Sequence, residues 1–422
     1  MPKLCIGLRS THDDRRKLIA GMKLLLVDDE TFALKVLTRQ LAQLGYDDVL
    51  AFEQAADAMK LLEGPEHGVA LIFCDLQMPD VDGVECVRHL AHMGYQGALV
   101  LVSGEGDRIL HAAEKLAVAH RIPVLGALSK PVTPQRLRGV MDRFASMSAS
   151  VRSKARQIFS ASEVKRAIER RELVNHYQPK VAMGTAALIG VEALVRWQHP
   201  NAGLVYPDQF IPVAEEHGLI DALTDVVLDN ALQQTRQWLD GGLALHMAVN
   251  VSMDNLASLE FPDKVAQQVK SAGIELAALT LEVTESRLMK DMRAQLDTLA
   301  RLRLKRIGLS IDDFGTGHSS LVQLRDVPFN ELKLDRSFVT GAASNDSLKA
   351  IVGATLAMAG QLGMTSVAEG IESVEDWHFL RQLGCNVAQG YFIARPMPGD
   401  ALPQWSQQWE TRRDALTKPL SR

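Results

Sequence analysis

Short, wholly apolar runs alternate with amphipathic stretches along almost the whole chain, and this alternation restricts its possible folds more than any other feature. The runs LLLV at 24–27, VALIFC at 69–74 and ALVLV at 98–102 are too uniformly apolar for a sheet with one wet face. They read as strands buried on both sides. Strands at 23–27, 69–74, 98–102 and 123–128, with helices at 32–44, 85–92 and 109–120, predict a doubly wound α/β domain over residues 22–145. A longer series occupies residues 161–410, with strands at 174–181, 188–197, 246–252, 279–285, 307–312, 331–334, 366–369 and 387–393. Most are separated by helical patterns such as 219–239, 261–272 and 348–362. Eight strands over roughly 240 residues fit a closed (β/α)8 barrel of the TIM type, with an open sheet as the alternative. Residues 146–160 read as a serine-rich linker, and Ser160 with Glu163 has the spacing of a helix-opening capping box. Residues 1–21 read as a basic N-terminal extension and 411–422 as a tail.

Composition narrows the class. At 422 residues, two or three domains are expected, and an apolar fraction of 47% excludes a disordered or fibrous chain. No apolar run approaches the ~20 residues of a membrane span. Cys5, Cys74, Cys86 and Cys385 lack metal-ligand or redox spacing, so a cytoplasmic setting is expected. A net charge of −5 argues against DNA as a partner.

Two polar constellations stand out against the apolar strands. In the first domain Asp28 and Asp29 follow the strand at 23–27, Asp75 the one at 69–74, Ser103 the one at 98–102, and Lys130 precedes Pro131 after the one at 123–128. A doubly wound sheet gathers such strand ends at one edge. Carboxylates that close repel one another unless a hard cation joins them, so one Mg²⁺ is implied, beside a carboxylate able to accept a phosphoryl group. In the second region Glu192, Asn250, Glu282, Asp312 with Asp313, Lys333, Glu369 and Gln389 recur near strand ends, about one strand–helix unit apart after a longer first gap. Their ligand atoms are oxygens, with no Cys or His, which favours Mg²⁺ or Mn²⁺. Asp313 could help hold a second ion ~3.5–4 Å from the first. Lys333 would orient water or steady a phosphate, Glu369 would accept a proton or complete a metal shell, and Arg196 would fork onto a phosphate. His217, His246 and His378 have no partner spacing, and the five tryptophans read as packing anchors.

The ordered motifs VDDE, DLQMPDVDG, LVSGE and SKP resemble the receiver domain of two-component response regulators. That resemblance implies a flavodoxin-like fold, Asp75 as phosphoacceptor, Mg²⁺ on Asp28, Asp29 and Asp75, Ser103 as switch hydroxyl, and Lys130 on the phosphate. It also implies a cognate sensor histidine kinase. Ala127 stands where receivers usually carry an aromatic switch residue. The later segments GVEALVRWQHP, YQPK, FIPVAEEHGLI, NVS, LEVTES, DDFGTGHSS, KLD, AEGIE and QGY resemble EAL-domain phosphodiesterases, which hydrolyse cyclic di-GMP to linear pGpG. By this resemblance Glu192, Asn250, Glu282, Asp312 and Asp313 would bind two metal ions, with Glu369 a further candidate for sharing the second. Lys333 and Glu369 would act on the water, and Gln178, Leu194, Arg196 and Gln389 would contact the dinucleotide. Glu285 would anchor the loop 313–320, which couples the metal site to a homodimer contact in the family, and His318 replaces a frequent aromatic residue there. No GGDEF-type cyclase motif is present, so such a chain is expected to degrade the messenger under control of phosphorylation.

Overall fold

The computed structural model describes residues 22–64, 67–79, 81–104, 107–120, 122–153, 159–284, 292–315 and 321–417. The chain divides into two compact units, residues 1–156 and 157–422.

In the first unit β1 (Lys23–Val27), β2 (Val49–Phe52), β3 (Val69–Asp75), β4 (Ala98–Ser103) and β5 (Val124–Ser129) form one parallel sheet in the order β2-β1-β3-β4-β5. Successive side chains of a strand point to opposite faces. Accordingly Leu25 and Val27 join one apolar core, while Leu24 and Leu26 join another on the opposite side. This two-sided burial explains the unbroken apolar runs. The strand order reverses between β1 and β3, so their carboxyl ends open onto the crevice of the sheet. The edge strand β2 escaped the sequence reading because none of its four residues is fully buried. The last helix, Pro134–Ser153, continues well into the serine-rich segment read as linker.

The second unit opens with the helix Ala161–Glu169, capped reciprocally by Ser160 and Glu163. The strands β6 (Leu173–Ala182), β7 (Leu188–His199), β8 (Gly203–Val205), β9 (His246–Val251), β10 (Leu279–Thr284), β11 (Gly308–Phe314), β12 (Glu331–Leu334), β13 (Thr365–Ala368), β14 (Val387–Ala388) and β15 (Met397–Pro398) follow. The order β6-β14-β13-β12-β11-β10-β9-β7, with β7 pairing back to β6, closes an eight-stranded barrel. The closed alternative therefore holds over the open sheet. One departure from a fully parallel barrel is β6, which runs antiparallel to both its neighbours. Its short connection to β7 leaves no room for a crossover helix, and a tight hairpin joins only antiparallel strands. The helix Ile220–Asp240 lays Leu223, Val227, Leu228, Ala231 and Trp238 against the strands. The helix Asp346–Gln361 packs the stripe Val352, Leu356 and Ala359 inward and leaves Ile351 exposed. Among the described residues no helix is long and apolar enough to cross a membrane. Cys74, Cys86 and Cys385 are buried and free.

Candidate active site

The barrel's register gathers the polar constellation. Gln178 on β6 lies opposite Glu192 on β7. Asn250 on β9 is the partner of Glu282 on β10, and Thr284 is the partner of Asp312 on β11. Lys333 sits on β12, while Glu369 and Gln389 are the first residues after β13 and β14. Each is one strand further around the ring.

Lys333 is the hub. Its Nζ lies 2.6 Å from Glu282 Oε2, 2.6 Å from Glu369 Oε1, 3.1 Å from Asp312 Oδ1 and 3.6 Å from Glu192 Oε2. Glu192 is fixed from two further sides, accepting from Asn250 Nδ2 at 2.7 Å and from Gln389 Nε2 at 2.6 Å. Gln389 Nε2 also reaches Gln178 Oε1 at 3.1 Å, and Gln178 donates to the Ala394 carbonyl. Asp313 takes a positive φ of 55°, and its N–H donates to Asp312 Oδ1 at 2.9 Å. Carboxylate oxygens of Asp312, Asp313 and Glu369 all lie within 4.8 Å of one another. Nearly every carboxylate and amide singled out from the barrel sequence therefore meets at one centre.

Its electrostatics are short of positive charge. Burial, together with the Glu282 carboxylate, pushes Glu192 up to about 7 despite Lys333. Burial pushes Glu369 up to about 8 against the pull of Lys333. Glu282 goes the other way: burial opposes its charge, but Lys180 and Lys333 outweigh it and hold its acid down at about 2. Lys333 is also buried, yet the surrounding carboxylates raise its pKa, so it stays an ammonium. A buried, oxygen-only donor set whose own carboxylates hold protons near neutral pH is suited to a hard divalent cation.

Two candidates stand apart. Arg196 is buried on β7, with its guanidinium 4.9 Å over the Tyr206 ring and Nη1 donating to the Val195 carbonyl. Leu194 is half-buried and shares the β7 face of Glu192. Glu285 and His318 lie outside the described residues. Lys180 and Glu331 went unremarked in the sequence, yet Lys180 Nζ is 2.6 Å from Glu282 Oε1 and 3.4 Å from Glu331 Oε1. The signal was present, since Lys180 is two residues beyond Gln178 on the same strand face. His246 pairs with Thr280, His217 with the Val213 carbonyl, and Trp197 packs on Phe159 and Phe210.

The first unit builds a second centre at its sheet edge. Asp28, Asp29 and Asp75 bring carboxylate oxygens within 4.8 Å, with Asp28 and Asp75 buried and Asp29 exposed. Lys130 Nζ spans 2.7 Å to Asp75 Oδ2 and 2.9 Å to Asp28 Oδ2. Burial raises the Asp28 pKa even so. Ser103 is fully buried at the end of β4, and its carbonyl accepts from the Lys130 N–H at 2.8 Å. Ala127 is exposed on β5.

Comparison with known proteins agrees with both halves. Residues 161–396 match the EAL domain family model and residues 24–142 the response regulator receiver domain. Cyclic di-GMP phosphodiesterase RocR of Pseudomonas aeruginosa is 32% identical over 380 residues, covering 89% of this chain and 96% of RocR. The bifunctional diguanylate cyclase/cyclic di-GMP phosphodiesterase MucR of the same organism is 44% identical over 259 residues, 61% of this chain; the chain spans only 37% of MucR's length. Among solved structures, the PaMucR phosphodiesterase in complex with c-di-GMP superposes with a TM-score of 0.54 at 45% identity, covering 57% of this chain and 98% of that one. An EAL domain protein from Listeria monocytogenes EGD-e gives 0.53 at 28% identity, covering 58% and 97%. The chain belongs to the EAL domain family, with a response regulator receiver domain preceding its EAL domain.

Proposed function

We propose that the barrel hydrolyses cyclic di-GMP to linear pGpG, and that the receiver unit adjusts this activity when Asp75 is phosphorylated by a cognate histidine kinase. The observation that carries the reading is the convergence of Glu192, Asn250, Glu282, Asp312 and Glu369 around Lys333. The oxygens of Glu192, Asn250, Glu282 and Asp312 would hold Mg²⁺ or Mn²⁺, with Asp313 beside Asp312 for a second ion. When bound, the ion lowers the pKa of water and offsets phosphate charge. The protein's own groups do the rest. The attacking water oxygen bonds to phosphorus, the P–O3′ bond breaks, and O3′ leaves with the bonding pair and becomes a hydroxyl by taking a proton from solvent water. Glu369 accepts the water proton on the oxygen that Lys333 does not hold. Lys333 keeps its charge and steadies the phosphate.

Arg196, on the same β7 face as Glu192 and Leu194, would anchor a phosphate or a base, and Gln178 and Gln389 would orient the dinucleotide. In the receiver, Asp28, Asp29 and Asp75 would hold one Mg²⁺, and Lys130 and Ser103 would meet the phosphoryl oxygens. A homodimer or higher homo-oligomer belongs to the same proposal. The test is direct: full-length protein with Mg²⁺ should convert cyclic di-GMP to pGpG, resolved by chromatography. Absence of product at high enzyme concentration would overturn the assignment.

A further inference from the structure

Arg196 and Lys333 are both buried cations, but they are held in opposite ways. Carboxylates surround Lys333. Among the described residues none pairs with Arg196, and the Glu192 and Asp208 charges act on it only from a distance. Two contacts hold its guanidinium: the Tyr206 ring, whose centre is 4.9 Å from the guanidinium carbon, and the Val195 carbonyl, which accepts from Nη1 at 2.8 Å.

Tyr206 reaches Arg196 through the short strand β8. Val205, the last residue of β8, pairs antiparallel with Trp197, and one further step of that register sets Tyr206 beside Arg196. Val205 is buried, and Pro207 opens a turn that ends at Phe210, which packs on Trp197. Both flanks of Tyr206 are therefore anchored. Its ring, however, is 47% exposed and takes no part in the apolar core of the barrel.

A carboxylate partner would neutralise Arg196 and occupy its forked N–H donors, leaving less of both for a ligand. An aromatic face attracts the cation without accepting those hydrogen bonds. With one donor on Val195, the guanidinium keeps its charge and most of its donors. Holding it still in advance also lowers the ordering cost that a ligand would otherwise meet.

We infer that Tyr206 is a positioning residue for substrate binding, its ring holding the Arg196 guanidinium with charge and donors unspent for the acceptor atoms of the dinucleotide. This rests on the proposed hydrolysis of cyclic di-GMP and on Arg196 as a contact to it. The ring touches none of the reacting atoms in this role, so its loss weakens binding and spares the chemical step.

The experiment is steady-state turnover of cyclic di-GMP by the full chain with Mg²⁺, comparing the parent, Tyr206→Leu and Tyr206→Phe. Tyr206→Leu keeps an apolar side chain and removes the π face. Its KM should rise about fivefold or more while kcat stays within about twofold of the parent. Tyr206→Phe, which loses only the hydroxyl, should restore the parent KM. An unchanged KM in Tyr206→Leu, a kcat that falls as far as KM rises, or a Tyr206→Phe that behaves like Tyr206→Leu would overturn the inference. An Arg196→Ala background separates action through the arginine from direct contact with the ligand. There Tyr206→Leu should cost no further kcat/KM. A further loss as large as in the parent would mean that the ring meets the dinucleotide itself, which overturns the positioning role. Should Arg196→Ala give no measurable product, the split between KM and kcat and the rescue by phenylalanine decide. No product from the parent would instead remove the reading on which the inference rests.

Discussion

Glu192 shows how a single side chain can be overdetermined: Asn250 and Gln389 each donate to a different oxygen, and Lys333 stands 3.6 Å from the second. A neutral amide in its place resembles the protonated acid that burial already favours. Glu192→Gln should therefore melt no lower than the parent after chelation at pH 8, while turnover falls at least ~100-fold and the Mg²⁺-induced rise in melting temperature shrinks. Paired melts and product chromatography check both halves. The same carboxylates predict a pH dependence. Glu192 and Glu369 hold protons more tightly folded than unfolded. In the metal-free protein their stabilising contribution is complete below the ordinary value of 4.5 and is lost as pH rises to about 7 and about 8. Glu282 behaves oppositely: its contribution is present above 4.5 and is lost as pH falls toward about 2. Divalent ions bind the ionised acids, so the stabilisation by Mg²⁺ should grow between pH 5.5 and 8.5, read as a widening gap between melts with Mg²⁺ and with chelator. A constant gap would contradict the assigned protonation states.

At the scale of elements, β14 shows what sequence reading caught and what it missed. An apolar pattern suggested a strand over 387–393, but the ladder stops at Ala388. The chain then turns so that Gln389 reaches Glu192, and a Cβ on Gly390 would lie 2.3 Å from the Ile371 backbone nitrogen and oxygen. Gly390→Ala must therefore shift backbone. We expect a loss of about 1–3 kcal/mol in denaturant unfolding and a fall in turnover, because Gln389 moves with it. Full turnover in that variant would show that Gln389 tolerates displacement. The alternation of apolar and amphipathic segments was enough to find eight barrel strands, since burial on both faces writes itself into composition. Strand direction was not legible, because β6 has the same apolar content whichever way it runs; only the short connection before Leu188 hints at a hairpin. Lys180 was hidden for a related reason. A lysine at a strand position looks like a solvated edge residue until closure of the barrel places Glu282 beneath it.

For the whole molecule, each unit has its own apolar core, one centred on the barrel and two flanking the receiver sheet. Separate cores mean that residues 157–422 should fold alone, giving one cooperative melt that Mg²⁺ raises. Independence of folding does not require independence of function, and the receiver centre is built for a change of charge. Lys130 already bridges Asp75 and Asp28, so a phosphoryl group on Asp75 would add negative charge beside a buried acid whose proton affinity is raised by burial. The ammonium must redistribute toward the new oxygens, and its backbone, tied to Ser103, carries that change into the ends of β4 and β5. On the proposed regulation, Ala127 offers no aromatic ring to report the change, which would then travel through the backbone and the helix Pro134–Ser153. Treatment with an acyl phosphate should then alter turnover of the full chain by about fivefold or more, the span of typical allosteric couplings. The effect should vanish both in Asp75→Asn and in residues 157–422 alone. An equal response in the isolated barrel would mean that the acyl phosphate acts on the catalytic unit directly, and no response in the full chain would leave the receiver without a regulatory part.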